Sequence, residues 1–232
     1  LLGDARSILG QLAAAAGAGG DRTRTWVDEL RAAETKAHDK LLTHAQSDAR
    51  PINHYRLARA IAEAIDDDTI VIGAGGACVA LGAKLLHRNK PGTWMDPGPL
   101  GCLGIGAPFA IAAKKLHPNT KVLVLSGDGS FGLNGFDFET CVRWNLPVCV
   151  VVANDAAWGQ IRGPQRSPAT KLAPTRYDQV VAAFGGKGYH VEDPAELTAT
   201  IKAALAEPTV TCVNVPVDPE FVVKSGAAKL TV

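Results

Sequence analysis

Six short apolar runs, at 69–72, 93–95, 122–125, 148–153, 188–191 and 210–215, alternate along the chain with stretches of helical periodicity. The runs are rich in Val and Ile and are continuous rather than interleaved with polar residues. That is the pattern of strands buried on both faces. The helical stretches at 55–65, 78–86, 105–116, 135–144, 177–184 and 195–206 fall between them. This order predicts an α/β domain: a doubly wound, mainly parallel sheet of about six strands with helices on both faces. Sheets of this kind bind ligands beyond the carboxyl ends of their strands, so the chemistry is expected in the turns that lead into helices.

The region before the first run reads differently. Residues 3–16 predict an amphipathic helix carrying Ile8, Leu9 and Leu12 on one face, stopped by the glycine-rich 17–20. A second, highly charged helix is expected over 25–45, with Trp26, Leu30, Leu41 and Leu42 as its apolar anchors, and residues 47–51 break it. Residues 1–50 therefore read as a helical connector, 51–216 as the compact domain and 217–232 as a C-terminal tail. At 232 residues the chain accommodates one sizeable α/β domain plus an appendage. A net charge of +1 argues against nucleic acid or an anionic membrane surface as partner, and the apolar runs are too short to span a bilayer. The apolar segment at 9–16 lacks the basic start of a signal peptide. The five cysteines are odd in number, widely spaced and without a Cys-x-x-Cys pair. That pattern points to a reducing cytoplasm and to neither a disulfide framework nor a zinc site. The first residue is Leu, so a fragment, a processed chain or a subunit is the expectation.

Two strand ends carry matching ligand chemistry. After 122–125 comes Ser126-Gly127-Asp128-Gly129-Ser130-Phe131-Gly132. The glycines let the backbone bend and approach a ligand, exposed N–H groups can cradle a phosphate, and Asp128 offers a hard oxygen to a cation. Alone, Gly-Asp-Gly is as readily a tight turn. After 148–153 comes Asn154-Asp155-Ala156-Ala157-Trp158-Gly159, where Asn154 and Asp155 could also simply cap the next helix. If the two strands are neighbours, Asp128 and Asn154 stand side by side. A carboxylate, an amide oxygen and a backbone carbonyl there suit Mg²⁺. A third turn, Gly73-Ala74-Gly75-Gly76-Ala77-Cys78, ends the first run with N–H groups placed for an anion.

Gly127-Asp128-Gly129, the residues 130–153 and then Asn154 resemble the signature of thiamine-diphosphate-dependent enzymes: Gly-Asp-Gly, about 25 residues, and Asn-Asn. Ala153 stands at the first Asn position, and the ligand aligns with the second. The resemblance implies that Asp128, the Asn154 side chain and the Ala156 carbonyl bind Mg²⁺, which holds the cofactor diphosphate. It adds Gly127, Gly129, Ser130, Ala157 and Trp158 to the cofactor site and places the far end of the diphosphate near Gly76 and Ala77. The stretch Trp94-Met95-Asp96-Pro97-Gly98-Pro99-Leu100-Gly101-Cys102-Leu103-Gly104 resembles the segment at the aminopyrimidine ring. There Gly101 would offer its carbonyl to the exocyclic amine beside Cys102, and Leu103 would wedge beneath the cofactor and fold its two rings into a V. Read as a residue alone, Leu103 is ordinary core packing.

Within the family, 91–99 and 154–159 look closest to the 2-hydroxyacyl-CoA lyases and oxalyl-CoA decarboxylases, with acetolactate synthase more distant. The implied activity is cleavage of a 2-hydroxyacyl-CoA to an aldehyde or ketone plus formyl-CoA, or the reverse condensation. In the family the activating glutamate lies in a separate pyrimidine-binding domain contributed across an oligomer interface. Glu139, Asp137, His54, His87, His117 and His190 do not match that position, so no catalytic residue is expected in this chain. A partner chain or segment, a homo- or hetero-oligomer and an acyl-CoA substrate are implied, with Lys224 or Lys229 available to a phosphate from the tail. Two further readings remain at this point. A Rossmann-like nucleotide binder lacks its Gly-x-Gly-x-x-Gly and ribose acid here, and a regulatory subunit with a retained cofactor site would not need the intact Asp128 and Asn154.

Overall fold

In a computed structural model, residues 2–16, 21–162 and 167–220 are described. The glycine-rich stop at 17–20, Lys224 and Lys229 lie outside them. The compact division of the chain falls between Thr43 and His44. The first unit holds helix α1 (Ala5–Ala15) and most of α2 (Asp21–Ala45). Asp4 caps α1 by accepting from the Ser7 N–H at 2.8 Å, and α1 buries none of its residues.

The second unit is the expected α/β sheet. Strands β1 (Ile70–Ala74), β2 (Trp94–Met95), β3 (Val122–Gly127), β4 (Cys149–Asn154), β5 (Lys187–His190) and β6 (Thr211–Pro216) form one sheet in the order β2-β1-β3-β4-β6-β5. Every pairing is parallel. The crossovers are α3 (His54–Ala64) before β1, α4 (Ala77–Gly82), α5 (Gly106–Leu116), the pair α6 (Asp128–Asn134) and α7 (Phe138–Arg143), then α8 (Tyr177–Ala183) and α9 (Leu197–Ala206).

Alternate strand residues supply two cores, which is why the runs are apolar throughout. Val71, Leu123, Val151 and Val213 pack with Leu57, Ile61 and Ile201 on one face. Ile72, Val124, Val150 and Cys212 pack with Ala110, Phe131, Phe138 and Val181 on the other. At about 25 cal/mol per Å² of apolar surface, double-sided burial makes β1, β3, β4 and β6 the fixed frame for whatever their ends present. The N-terminal edge of the unit is tied to that frame: the Ile52 N–H donates to the Pro216 carbonyl and the Asp218 N–H to the Ile52 carbonyl.

One local expectation differs. The Gly-Asp-Gly segment is not a free turn, because Asp128 is already the first residue of α6. Gly127 at φ −81°, ψ 153° finishes the strand, and the helix starts one residue later.

Candidate functional site

The strand order fixes where the site lies. From β1 the chain runs outward to β2, whereas from β3 it runs the other way to β4. The turns after β1 and β3 therefore diverge and leave a crevice between them, the switch point at which open parallel sheets bind ligands. The turn after β1 is Gly75-Gly76 and the one after β3 is Gly127-Asp128-Gly129. A cleft there is lined by Gly76, Ala77, Leu103, Gly127, Asp128, Gly129, Ser130, Ala157 and Trp158, together with His54, Cys78, Asp155 and Gln160.

Close backbone approach explains the glycines at two positions. A Cβ on Gly75 would come within 3.0 Å of the Gly127 nitrogen and 2.8 Å of Cys78 Sγ. A Cβ on Gly129 would come within 2.7 Å of the Trp158 indole. Side chains at these positions would fill the crevice.

Register then delivers the two expected oxygens. Gly127 pairs with Ala153, so Asp128, which opens α6, and Asn154, which ends β4, follow directly on the last rung of the ladder. Asp128 is 2% exposed and its oxygens accept from the Gly129 N–H at 2.8 Å and the Ala157 N–H at 3.1 Å. Asn154 Oδ1 accepts from the Ala156 N–H at 3.2 Å. This Asx turn accompanies a left-handed Ala156, at φ 50°. The Ala156 carbonyl accepts from the Leu172 N–H at 2.8 Å, where 156–158 meets 170–172. A carbonyl has a second lone pair, so this bond does not exclude a further ligand.

The electrostatics favour a cation. Burial, and then the charge of Asp155, push the Asp128 carboxyl up to about 7. Burial likewise raises Asp155, against the opposing charge of Arg162. Two carboxylates drawn together out of water are destabilised until a positive charge joins them. Asp155 carried no ligand role in the sequence reading, and its adjacency to Asp128 follows only from the strand register. Among the described residues no three His, Cys, Asp or Glu side chains converge on a common point. A cation held by Asp128, an amide and a carbonyl would thus keep positions for water or for oxygens of a ligand, the habit of a small hard ion. A diphosphate with such an ion fits the glycine-walled crevice and its buried pair of carboxylates.

The segment 101–104 is partly joined to this cleft. The Gly104 N–H donates to Ser130 Oγ at 2.9 Å, and Leu103 lines the cleft while remaining 38% exposed. Gly101, at φ 62°, and Cys102 are exposed and lie outside the lining. Asn154 and Ala156 are likewise not among the residues that line it. His54 is buried in the same cleft, and desolvation lowers its imidazole to about 4.

Residues 74–215 match the family model of the thiamine pyrophosphate enzyme C-terminal TPP-binding domain. The chain belongs to that family. This TPP-binding domain is 37% identical over 214 residues to an acetolactate synthase large subunit of Mycobacterium tuberculosis, covering 90% of this chain and 39% of that protein. It is 34% identical over 203 residues to a 2-hydroxyacyl-CoA lyase 2 of Caenorhabditis elegans, 82% of this chain and 31% of that protein. It is 30% identical over 220 residues to a 2-hydroxyacyl-CoA lyase of Arabidopsis thaliana, 88% and 38%. A thiamine diphosphate-dependent 4-hydroxybenzoylformate decarboxylase of Rhodococcus jostii shares the fold at a TM-score of 0.69 and 21% identity, over 74% of this chain and 34% of that one. The chain thus spans between three and four tenths of the length of these curated relatives. Synthases and lyases stand side by side among them, whereas the resemblance of 91–99 and 154–159 points to 2-hydroxyacyl-CoA lyases and oxalyl-CoA decarboxylases ahead of acetolactate synthase. Among the described residues no helix is long and apolar enough to cross a membrane.

Proposed function

We propose that this TPP-binding domain is the diphosphate- and Mg²⁺-binding part of a thiamine-diphosphate-dependent carbon–carbon lyase or carboligase acting on 2-hydroxyacyl-CoA. The observation that carries the reading is the meeting of Asp128 and Asn154 on adjacent strand ends at the switch point, between glycines that keep the crevice open. Asp128, Asn154 Oδ1 and the Ala156 carbonyl would hold Mg²⁺. The Gly127–Ser130 backbone and the Gly76–Ala77 turn would cradle the diphosphate, with Ala157 and Trp158 alongside. Leu103 would support the cofactor from below, and the loop at Gly101 and Cys102 would face its pyrimidine. When bound, the cofactor supplies the electron sink for the carbon–carbon step; this chain's residues bind and orient it. Activation of the cofactor needs a glutamate on a pyrimidine-binding domain, so the chain works with a partner chain or segment within an oligomer.

A second reading, an acetolactate-synthase-like decarboxylase and carboligase, is favoured by the 37% identity to acetolactate synthases. It uses the same site. Feeding the assembled enzyme 2-hydroxyacyl-CoA or pyruvate separates the two.

Calorimetric titration with thiamine diphosphate, with and without Mg²⁺, tests the common core. Binding should depend on Mg²⁺ and be lost in Asp128→Ala; unchanged affinity in that variant removes the metal-ligand assignment. Full lyase activity from the isolated chain would refute the need for a partner.

A further inference from the structure

Asn154 is gripped by more than its place in β4. Its Nδ2 donates to the Thr175 carbonyl at 2.9 Å and to Asn214 Oδ1 at 3.1 Å. Both amide protons are thereby used, and Oδ1, which accepts from the Ala156 N–H, keeps a lone pair for a cation. Asn214 sits in β6, 1% exposed and level with Val152 of β4. Its own Nδ2 lies 3.1 Å from His190 Nδ1, at the end of β5. An amide nitrogen carries only donors, so His190 Nδ1 must accept and the ring proton must sit on Nε2. Nε2 in turn lies 3.3 Å from Glu192 Oε1. Across three strand ends each donor therefore meets one acceptor. Turning the Asn154 amide over would set its oxygen against the Thr175 carbonyl and Asn214 Oδ1, and its NH₂ against the Ala156 N–H. Such buried mismatches would leave donors facing donors and acceptors facing acceptors, which leaves one orientation.

We infer that Asn214 is a positioning residue of the cofactor site: it fixes the Asn154 amide with its oxygen presented as ligand, and His190, as the Nε2–H tautomer, fixes Asn214. The inference deepens the proposed function and rests on Asn154 as a metal ligand. Thr175 remains as a second anchor, so losing Asn214 loosens the ligand rather than removing it. The expected effect lies at the lower end of the 10- to 100-fold range for outer partners of metal ligands, about tenfold.

The test titrates Mg²⁺ into the full chain with saturating thiamine diphosphate, and separately records side-chain amide NMR spectra without metal or cofactor. Asn214→Leu should bind Mg²⁺ about tenfold more weakly, and one Asn154 Nδ2 proton should lose its protection from exchange. Asn214→Asp keeps an acceptor facing Asn154, and with the His190 ring proton moved to Nδ1 it stays anchored to that ring, so it should retain both the affinity and the protection. A purely structural role would lower stability in both variants and leave the Asn154 amide signals alike. If Asn214→Leu does not fold, His190→Ala carries the test: it should shift the Asn214 amide resonances and weaken Mg²⁺ binding, and no change in either overturns the inference. Normal Mg²⁺ affinity in Asn214→Leu, with loss in Asn154→Ala, overturns the inference and leaves the ligand assignment standing. Normal affinity in Asn154→Ala overturns both.

Discussion

The carboxylate pair makes a prediction about the protein without its cofactor. Asp128 is held near 7 in the folded chain by burial and by Asp155, whereas an unfolded aspartate titrates near 3.9. Below about pH 4 the carboxyl is neutral in both states. As the pH rises toward 7, the unfolded form ionises freely while the folded form keeps its proton, so stability falls through that window. The ceiling on the loss is about 4 kcal/mol, from 1.36 kcal/mol per pH unit of separation. His54 works in the opposite sense. Its folded imidazole is lowered to about 4 by desolvation, so stability is lost as the pH drops from about 6.5 toward 4, by up to about 3 kcal/mol. The two slopes oppose each other in the wild type, with the raised Asp155 adding to that of Asp128, and only a difference measurement separates them. Asp128→Asn removes the titration and leaves His54 untouched. It introduces a constant penalty, because the new NH₂ faces a backbone N–H. Urea denaturation with EDTA present, followed by circular dichroism at steps from pH 4.5 to 7.5, should show the variant gaining on the wild type by up to about 3 kcal/mol across that range. A difference independent of pH would show that Asp128 is ionised at ordinary acidity and that Asp155 does not oppose it.

Gly75→Val should abolish Mg²⁺-dependent cofactor binding, since even its Cβ would meet the Gly127 nitrogen and Cys78 Sγ; calorimetry reads the loss. Leu123→Ala, which empties a fully buried position in the central strand β3, should cost about 3 kcal/mol in urea denaturation. Iodoacetamide at pH 8 should label Cys102, which is exposed, and spare Cys78, Cys141 and Cys149, whose buried thiols are pushed up to about 12. Peptide mass spectrometry after quenching identifies the labelled residue, and rapid modification of Cys78 would mean that the crevice floor is open to solvent.

The strands were readable because Val and Ile at successive positions leave no solvent face, and the structure buries Val122, Leu123, Val124 and Leu125 alike. The candidate turns were readable because glycine beside a carboxylate at a strand end is unusual chemistry for a connection. What sequence could not supply is lateral order. Asp155 acquires its relation to Asp128, and Asn214 and His190 theirs to Asn154, only once β4 lies between β3 and β6. Nothing within a few residues of Asn214 marks it as more than a polar interruption in an apolar strand. The left-handed Ala156 was equally hidden, since a positive φ is usually announced by glycine or asparagine; here neighbouring hydrogen bonds impose it.

The lateral pairing of β3 with β4 also changes what the interval between the two motifs means. Asp128 and Asn154 meet because Gly127 pairs with Ala153, and the chain between them has only to leave one strand top and return to the next strand's foot. Its length records the helices α6 and α7 that make the crossing, and places no requirement on the two side chains themselves. The two halves of the proposed metal grip therefore belong to the sheet's edge rather than to a contiguous peptide. A backbone opened at the exposed Trp144–Asn145 turn would keep both oxygens in place for as long as the ladder between the strands held.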